Sequence, residues 1–279
     1  MADLIATDYC AFPALGLAGS SSKGISITAP GSNNTLGANT QIEASTSDEA
    51  NGFIVALNSN AGGSGSSQTL TNIYIGGSGS EQILVSGLQL GRMSSCGGAQ
   101  RFYTIPLNIP QGSRLSAKYQ ADVAANASDH RISIVPLGVG FSSALPCDAF
   151  EAWGVDTATS MGTLATASAS AYTKGSWAEL IASTGIDSQQ IILQLQRFGA
   201  QAAYRIDIGI GAGGSEVVAV PDINFVVGSD GANDASMYVG RDQTIHIPLT
   251  VKAGSRVAIR IESSTGSATA RASILAFGN

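Results

Sequence analysis

The chain has 279 residues, of which 12% are charged and 34 are glycine, and its net charge is −6. That acidic balance, with no run of Lys or Arg, excludes the basic stripe that captures nucleic acid and the polybasic anchor that holds anionic membranes. No apolar stretch approaches the roughly 20 residues a membrane-spanning helix needs, so neither nucleic acid nor membrane is expected as a partner.

Residues 1–22 read as an N-terminal arm. Asp3 and Asp8 stand where an export signal would be basic, and Pro13 and Gly16 break the apolar run, which disfavours Sec-dependent export. The arm is rich in small residues and is expected to cross onto an adjacent subunit or shell, burying Leu4, Ile5, Phe12 and Leu15. Cys10, Cys96 and Cys147 form an odd set with no metal-like spacing, so they read as reduced, packed thiols, with a bridge between subunits through Cys10 as the minor alternative.

Residues 23–139 show the alternation of apolar and polar side chains that marks half-buried strands, broken by Gly, Ser, Asn and Asp turns. Tyr103, Ile105, Leu107 and Ile109 point one way, and Leu115, Ala117, Tyr119 and Ala121 do so after the turn at Gly112. Pro106 donates no ladder hydrogen bond, so its strand should lie at an edge or carry a bulge. Residues 140–162 interrupt the pattern and read as a linker, with a short helix opened by Pro146 that places Ala149, Phe150 and Trp153 on one face.

Residues 163–279 repeat the first stretch. Ile105-Pro106-Leu107 and Gly112-Ser113-Arg114 return in register as Ile247-Pro248-Leu249 and Gly254-Ser255-Arg256. In the same order, Ile42–Thr46 answers Leu180–Thr184, Gly52–Leu57 answers Gln190–Leu195, and Ile73–Gly76 answers Ile206–Gly209. Gly79–Ile83 likewise answers Gly214–Val218, and Ser133–Gly138 answers Ser273–Gly278. In the second copy Ile245, Ile247, Leu249 and Val251 face inward, then Val257, Ile259 and Ile261 after the turn Lys252–Ser255, and the two runs read as a β-hairpin. About eight strands per copy predict an all-β chain of two tandem duplicated β-sandwich, jelly-roll-like domains, with helix limited to a turn near Glu151 and another near Asp187.

Candidate chemistry is sparse. His130 and His246 sit at different places in the two copies; Thr104 stands where the second has His246, which reads as a surface side chain on an outward strand face. No nucleophile elbow is present, and the glycines from Gly209 to Gly214 join two strand-like runs as a turn rather than a phosphate loop. Ser229, Asp230, Asn233 and Asp234 gather oxygens that suit calcium, but a solvated acidic turn is preferred. Asp207 and Glu216 would meet across a hairpin as a structural pair, Tyr74 replacing the first in the other copy. No catalytic residue, cofactor or metal is therefore assigned, and the chain is expected not to be an enzyme. A hydrolase on a jelly-roll scaffold, built on His246 or Asp207, is the least favoured reading. Trp153 and Trp177, the only indoles, are the candidate platforms for a glycan. Arg114 and Arg256 recur after Gly-Ser at matching places, so they are assigned first a shared structural bond and second an interface.

The motif Ile-Pro-Leu-x-(Ile/Val)-x-x-Gly-Ser-Arg at Ile105–Arg114 and Ile247–Arg256, set among Gly/Ser/Ala/Thr-rich strands of low charge, resembles β-sandwich proteins of tailed bacteriophage particles. Those proteins are capsid decoration (cement), neck or collar, and tail-fibre components. The resemblance implies a virion structural protein, made in the host cytoplasm, that self-assembles or docks on other virion proteins. The rival reading is a carbohydrate- or receptor-binding module in which two domains give avidity.

Overall fold

The computed structural model describes residues 24–59, 68–91, 99–124, 130–138, 147–227 and 243–279. Leu4, Ile5, Cys10, Phe12, Leu15, Cys96 and the Asp230 loop lie outside the described residues. The chain forms two compact units, residues 1–149 and 150–279. The fold is all-β, with four antiparallel sheets and no α-helix among the described residues.

Unit one contains β1 (Ile25–Ser26), β2 (Thr40–Glu43), β3 (Gly52–Ser59), β4 (Thr69–Ile75), β5 (Gln82–Leu90), β6 (Ala99–Ile105), β7 (Leu115–Ala121) and β8 (His130–Leu137). They form two sheets, ordered β1-β8-β3-β6 and β2-β7-β4-β5. After β9 (Ala149–Trp153), unit two contains β10 (Thr163–Thr166), β11 (Ala178–Ile181), β12 (Ser188–Gln196), β13 (Ala202–Ile210), β14 (Val217–Val227), β15 (Gln243–Ile247), β16 (Val257–Ser263) and β17 (Thr269–Gly278). Its sheets run β10-β17-β12-β15, with β9 also on β17, and β11-β16-β13-β14. Each unit thus has the eight strands of a jelly-roll sandwich, each strand with a counterpart at the same place in the other unit, and β9 is a ninth strand in unit two with no counterpart among the described residues of unit one.

The correspondence extends to irregularities. A register shift between Gln41 and Glu43 on β2 matches one between Glu179 and Ile181 on β11, and the isolated bridge Ala50–Ile109 matches Ser188–Val251. The strands form where the alternation foretells them: Val257, Ile259 and Ile261 of β16 are fully buried, packed with Leu193 and Leu195 of β12 and Ile206 and Ile208 of β13. β6 and β15 are edge strands whose ladders end at Ile105 and Ile247, just before the two prolines, because Pro106 and Pro248 have no amide to donate.

Three expectations are corrected. The helix opened by Pro146 is instead strand β9 on β17, inside the segment read as a linker, and the residues near Asp187 are also not helical. Three apolar residues at helical spacing suit a short strand equally well when one face packs and an edge is open. The runs ending at Val251 and beginning at Val257 are not a hairpin, since β15 pairs with β12 in one sheet and β16 with β13 and β11 in the other. Alternation reports which side of a strand is buried, and both strands face one core from opposite sheets. Finally, Gly76 and Gly211 both donate to the following arginine position, the carbonyls of Arg114 and Arg256, at 3.1 Å. Asn72, rather than Tyr74, is therefore the counterpart of Asp207, and Tyr74 matches Gly209.

Candidate functional site

Arg114 and Arg256 stand just before β7 and β16. Arg256 donates from Nε to Glu179 at 2.6 Å and from Nη1 to Glu216 at 2.6 Å. Arg114 donates from Nε to Gln41 at 3.2 Å and from Nη1 to Glu81 at 2.9 Å. The planar fork ties the β2 (or β11) edge to the turn after β4 (or β13), using partners at corresponding places. Glu179 and then Glu216 raise the Arg256 guanidinium pKa further. Burial pushes the Glu216 carboxyl up, but its own amide and Arg256 outweigh that and hold it low. Both arginines are only slightly exposed and bond carboxylates within their own unit.

A second polar cluster lies on the outer face of the β11-β16-β13-β14 sheet. Asp207 on β13 accepts from Lys174 Nζ at 2.8 Å, from Arg260 Nε at 2.8 Å and from the Asp222 amide at 2.9 Å, while Lys174 also reaches Asp222 at 2.9 Å. Burial raises the Asp207 pKa, but the Asp222 amide, Lys174 and Arg260 together bring it below the ordinary carboxylate range. Arg260 lies over the Trp177 ring, 4.5 Å from its centroid, and beside Trp177 a depression of about 490 Å³ is lined by Leu164, Thr166 and Lys174. In unit one Asn72 accepts the Gly87 amide at 3.0 Å in the place of the Asp207–Asp222 bond, and Lys118, at the strand position of Arg260, lies over the Tyr74 ring. The Lys174–Arg260 setting around Asp207 is thus particular to unit two, and no motif in the sequence announces it.

The other singled-out residues scatter. Trp153 is fully buried in the unit-two core, its Nε1 donating to Glu151 at 2.9 Å, so it presents no face to a ligand. Trp177 is half-buried at the rim of the depression. His246 is exposed on β15, as its outward position foretells, whereas His130 is buried, with Nε2 2.8 Å from Thr71 Oγ1 and its ring against Tyr119. Asp207 and Glu216 do not pair with each other, since each is held by its own cations. Cys147 is a buried thiol. Among the described residues no three His, Cys, Asp or Glu side chains group closely enough to hold a metal ion.

The units differ most along the edge formed by β5 and β6, or β14 and β15. In unit one the inward residues Val85, Leu88, Leu90, Tyr103 and Ile105 are 0% exposed and Leu107 is 3% exposed. Their counterparts Val220, Ile223, Phe225, Ile245, Ile247 and Leu249 are only partly buried. β14 is also the longest strand among the described residues, lies at a sheet edge, and exposes Val217 by 71%, Val218 by 37% and Val226 by 70%. In unit one, just past β6, the counterpart of β15, Cys147 makes a parallel bridge to Leu107. Signals for this opening were absent from the sequence, because the apolar pattern is the same in both copies.

No protein-family model matches the chain, and no curated protein resembles it in sequence. Among solved structures it is similar to the major capsid protein P2 of bacteriophage PM2, with 13% identity and a TM-score of 0.37 over 96% of this chain and 98% of that one. It is similar also to the tandem CBM22 domains of Xyn10C from Paenibacillus barcinonensis, at 10% identity and TM-score 0.28 over 86% and 83% of the two chains. A third is a β-porphyranase of glycoside hydrolase family 86 from Bacteroides plebeius, at 15% identity and TM-score 0.26 over 76% and 30%. None of these TM-scores is high enough to establish a shared fold, and none bears on function.

Proposed function

We propose that this protein is a non-enzymatic virion structural protein that acts by assembly, copies meeting through the open β14–β15 side of unit two. Jelly rolls serve virus shells, lectins and enzymes alike, so the fold alone does not choose among them. The observation that carries the reading is the unequal burial of equivalent core positions. Six inward apolar side chains closed off in unit one stand partly open in unit two, next to a long edge strand with exposed valines. An unpaired edge of that kind is a template for another strand, and an apolar margin beside it rewards whatever covers it. Low surface charge removes the repulsion that would keep such edges apart. Whether the setting is a capsid decoration, a collar or a tail is a matter of the partner that β14 meets.

Val218→Lys with Val226→Lys places two charges on the exposed face of β14 and should abolish self-association while the β-sheet circular dichroism is kept. Association unchanged in this variant would remove the proposed surface.

A second reading, glycan binding, is supported by the depression beside Trp177 and Lys174, where an aromatic rim and a cation meet. Binding on a glycan array that disappears in Trp177→Ala would favour it.

A further inference from the structure

In unit one, β1 and β2 lie at the edges of opposite sheets, and a pair of threonines clasps the chain between them. Thr28, just past β1, donates its amide to Thr40 Oγ1 of β2 at 2.9 Å, and the two hydroxyls stand 3.0 Å apart.

Unit two has the same two edges, β10 and β11, without the clasp. Thr166 takes the place of Thr28, because a Cβ on Gly37 would collide with the Thr28 carbonyl oxygen and one on Gly175 with that of Thr166. Ala178 takes the place of Thr40: the first pairs with Ile259 of β16, the second with Ala117 of β7. Ala178 has no hydroxyl, so the Thr166 amide and hydroxyl lose that partner. Where unit one has the clasp, unit two has the depression of about 490 Å³, with Thr166, Ser168, Lys174, Ser176, Trp177 and Ala178 on its wall.

The lining sets the class of ligand. The Thr166 amide and the hydroxyls of Thr166 and Ser176 offer hydrogen bonds, and Trp177 adds an aromatic wall, a combination that suits a ring with hydroxyls at its rim and C–H groups on its face. Charge at the site is balanced. Lys174 is 2.8 Å from Asp207 and 2.9 Å from Asp222, and Arg260 is 2.8 Å from Asp207, so two cations meet two carboxylates. An anionic ligand would find no surplus cation there and would face Asp222, a like charge. In unit one Leu36 and Asn39 stand in the places of Lys174 and Trp177, and Asn39 is turned onto Glu81 at 2.7 Å.

We propose that the seam between β10 and β11 binds a neutral saccharide, one sugar oxygen taking the place of the missing threonine hydroxyl on the Thr166 amide, with Trp177 against the C–H face. This names the ligand class for the glycan-binding reading and rests on it. Unit one, whose clasp is made, carries no such site. β11 and β14 are opposite edges of one sheet, so a bound sugar leaves the β14 edge free for assembly.

An array of neutral, sialylated and sulfated glycans, probed with the full chain and followed by titration calorimetry with the best neutral glycan, tests this. Neutral glycans should bind in preference to their sialylated or sulfated forms. Ala178→Thr, which rebuilds the clasp and keeps Trp177, should weaken binding at least ~10-fold, about the worth of one hydrogen bond. Binding that is lost in Trp177→Ala but unchanged in Ala178→Thr would overturn the proposal and leave the glycan reading standing, as would a preference for acidic glycans. Absence of binding across the array would overturn both. In the wild-type chain the same neutral glycan should shift the amide resonances of Thr166 and Ala178 and leave those of Thr28 and Thr40 in place; unmoved Thr166 and Ala178 resonances would overturn the proposal independently of any variant.

Discussion

The ring of Trp177 lies over the backbone of Gly209, so closely that a Cβ at Gly209 would stand 2.6 Å from Trp177 Cη2. The cation above that ring is Arg260. In unit one the place of Gly209 is taken by Tyr74, whose own ring receives Lys118 Nζ at 5.0 Å, from the strand position that Arg260 holds. Both outer faces thus keep an aromatic ring beneath a cation, although the ring comes from β4 in unit one and from the segment just before β11 in unit two.

Gly209→Ala should displace the Trp177 ring and destabilise unit two by about 1–3 kcal/mol in urea unfolding, the usual cost of overpacking a close contact. Trp177→Ala relieves that clash, so the double variant should be no less stable than Trp177→Ala alone. A fully additive double variant would contradict the contact.

Arg256→Ala should lower the thermal midpoint by several degrees, because Glu216 keeps a nearly covered carboxylate without its cation. Arg256→Lys should recover only part of this, since a single ammonium cannot serve Glu179 and Glu216 in the fork geometry. Arg114→Ala should cost less, one of its partners being the neutral Gln41. Calorimetry of the three variants checks the order.

Asp207 carries a pH dependence whose direction follows from its partners. Its folded pKa lies below the unfolded value near 3.9, so its contribution is present above that value and is lost as pH falls through the folded one. Asp207→Asn should cost about 2 kcal/mol at neutral pH, from Lys174 and Arg260 left without their shared carboxylate. The same variant should show a shallower loss of stability below pH ~4 than the wild type. Parallel acid limbs in urea titrations would contradict this.

Much of the fold was legible because strand alternation and turn residues are local: Ile245, Ile247 and Leu249 lie on the inward face, and Pro248 stops its ladder. What escaped was pairing. Nothing within Thr244–Ile261 tells that β15 and β16 belong to opposite sheets, because that depends on strands tens of residues away. The Arg256 bond was foreseeable from its recurrence, whereas the Asp207 cluster needs Lys174, which approaches only when the chain before β11 crosses the β13 face. The helix expected at Ala149–Trp153 failed for a related reason, since the edge of β17 that holds it lies more than a hundred residues on.

Sedimentation velocity of the full chain across a hundredfold range of concentration tests assembly through β14 most directly. The account predicts a reversible shift from monomer to a defined oligomer that is lost in Val218→Lys, Val226→Lys. A monomer at every concentration, or an oligomer indifferent to those two charges, would contradict it.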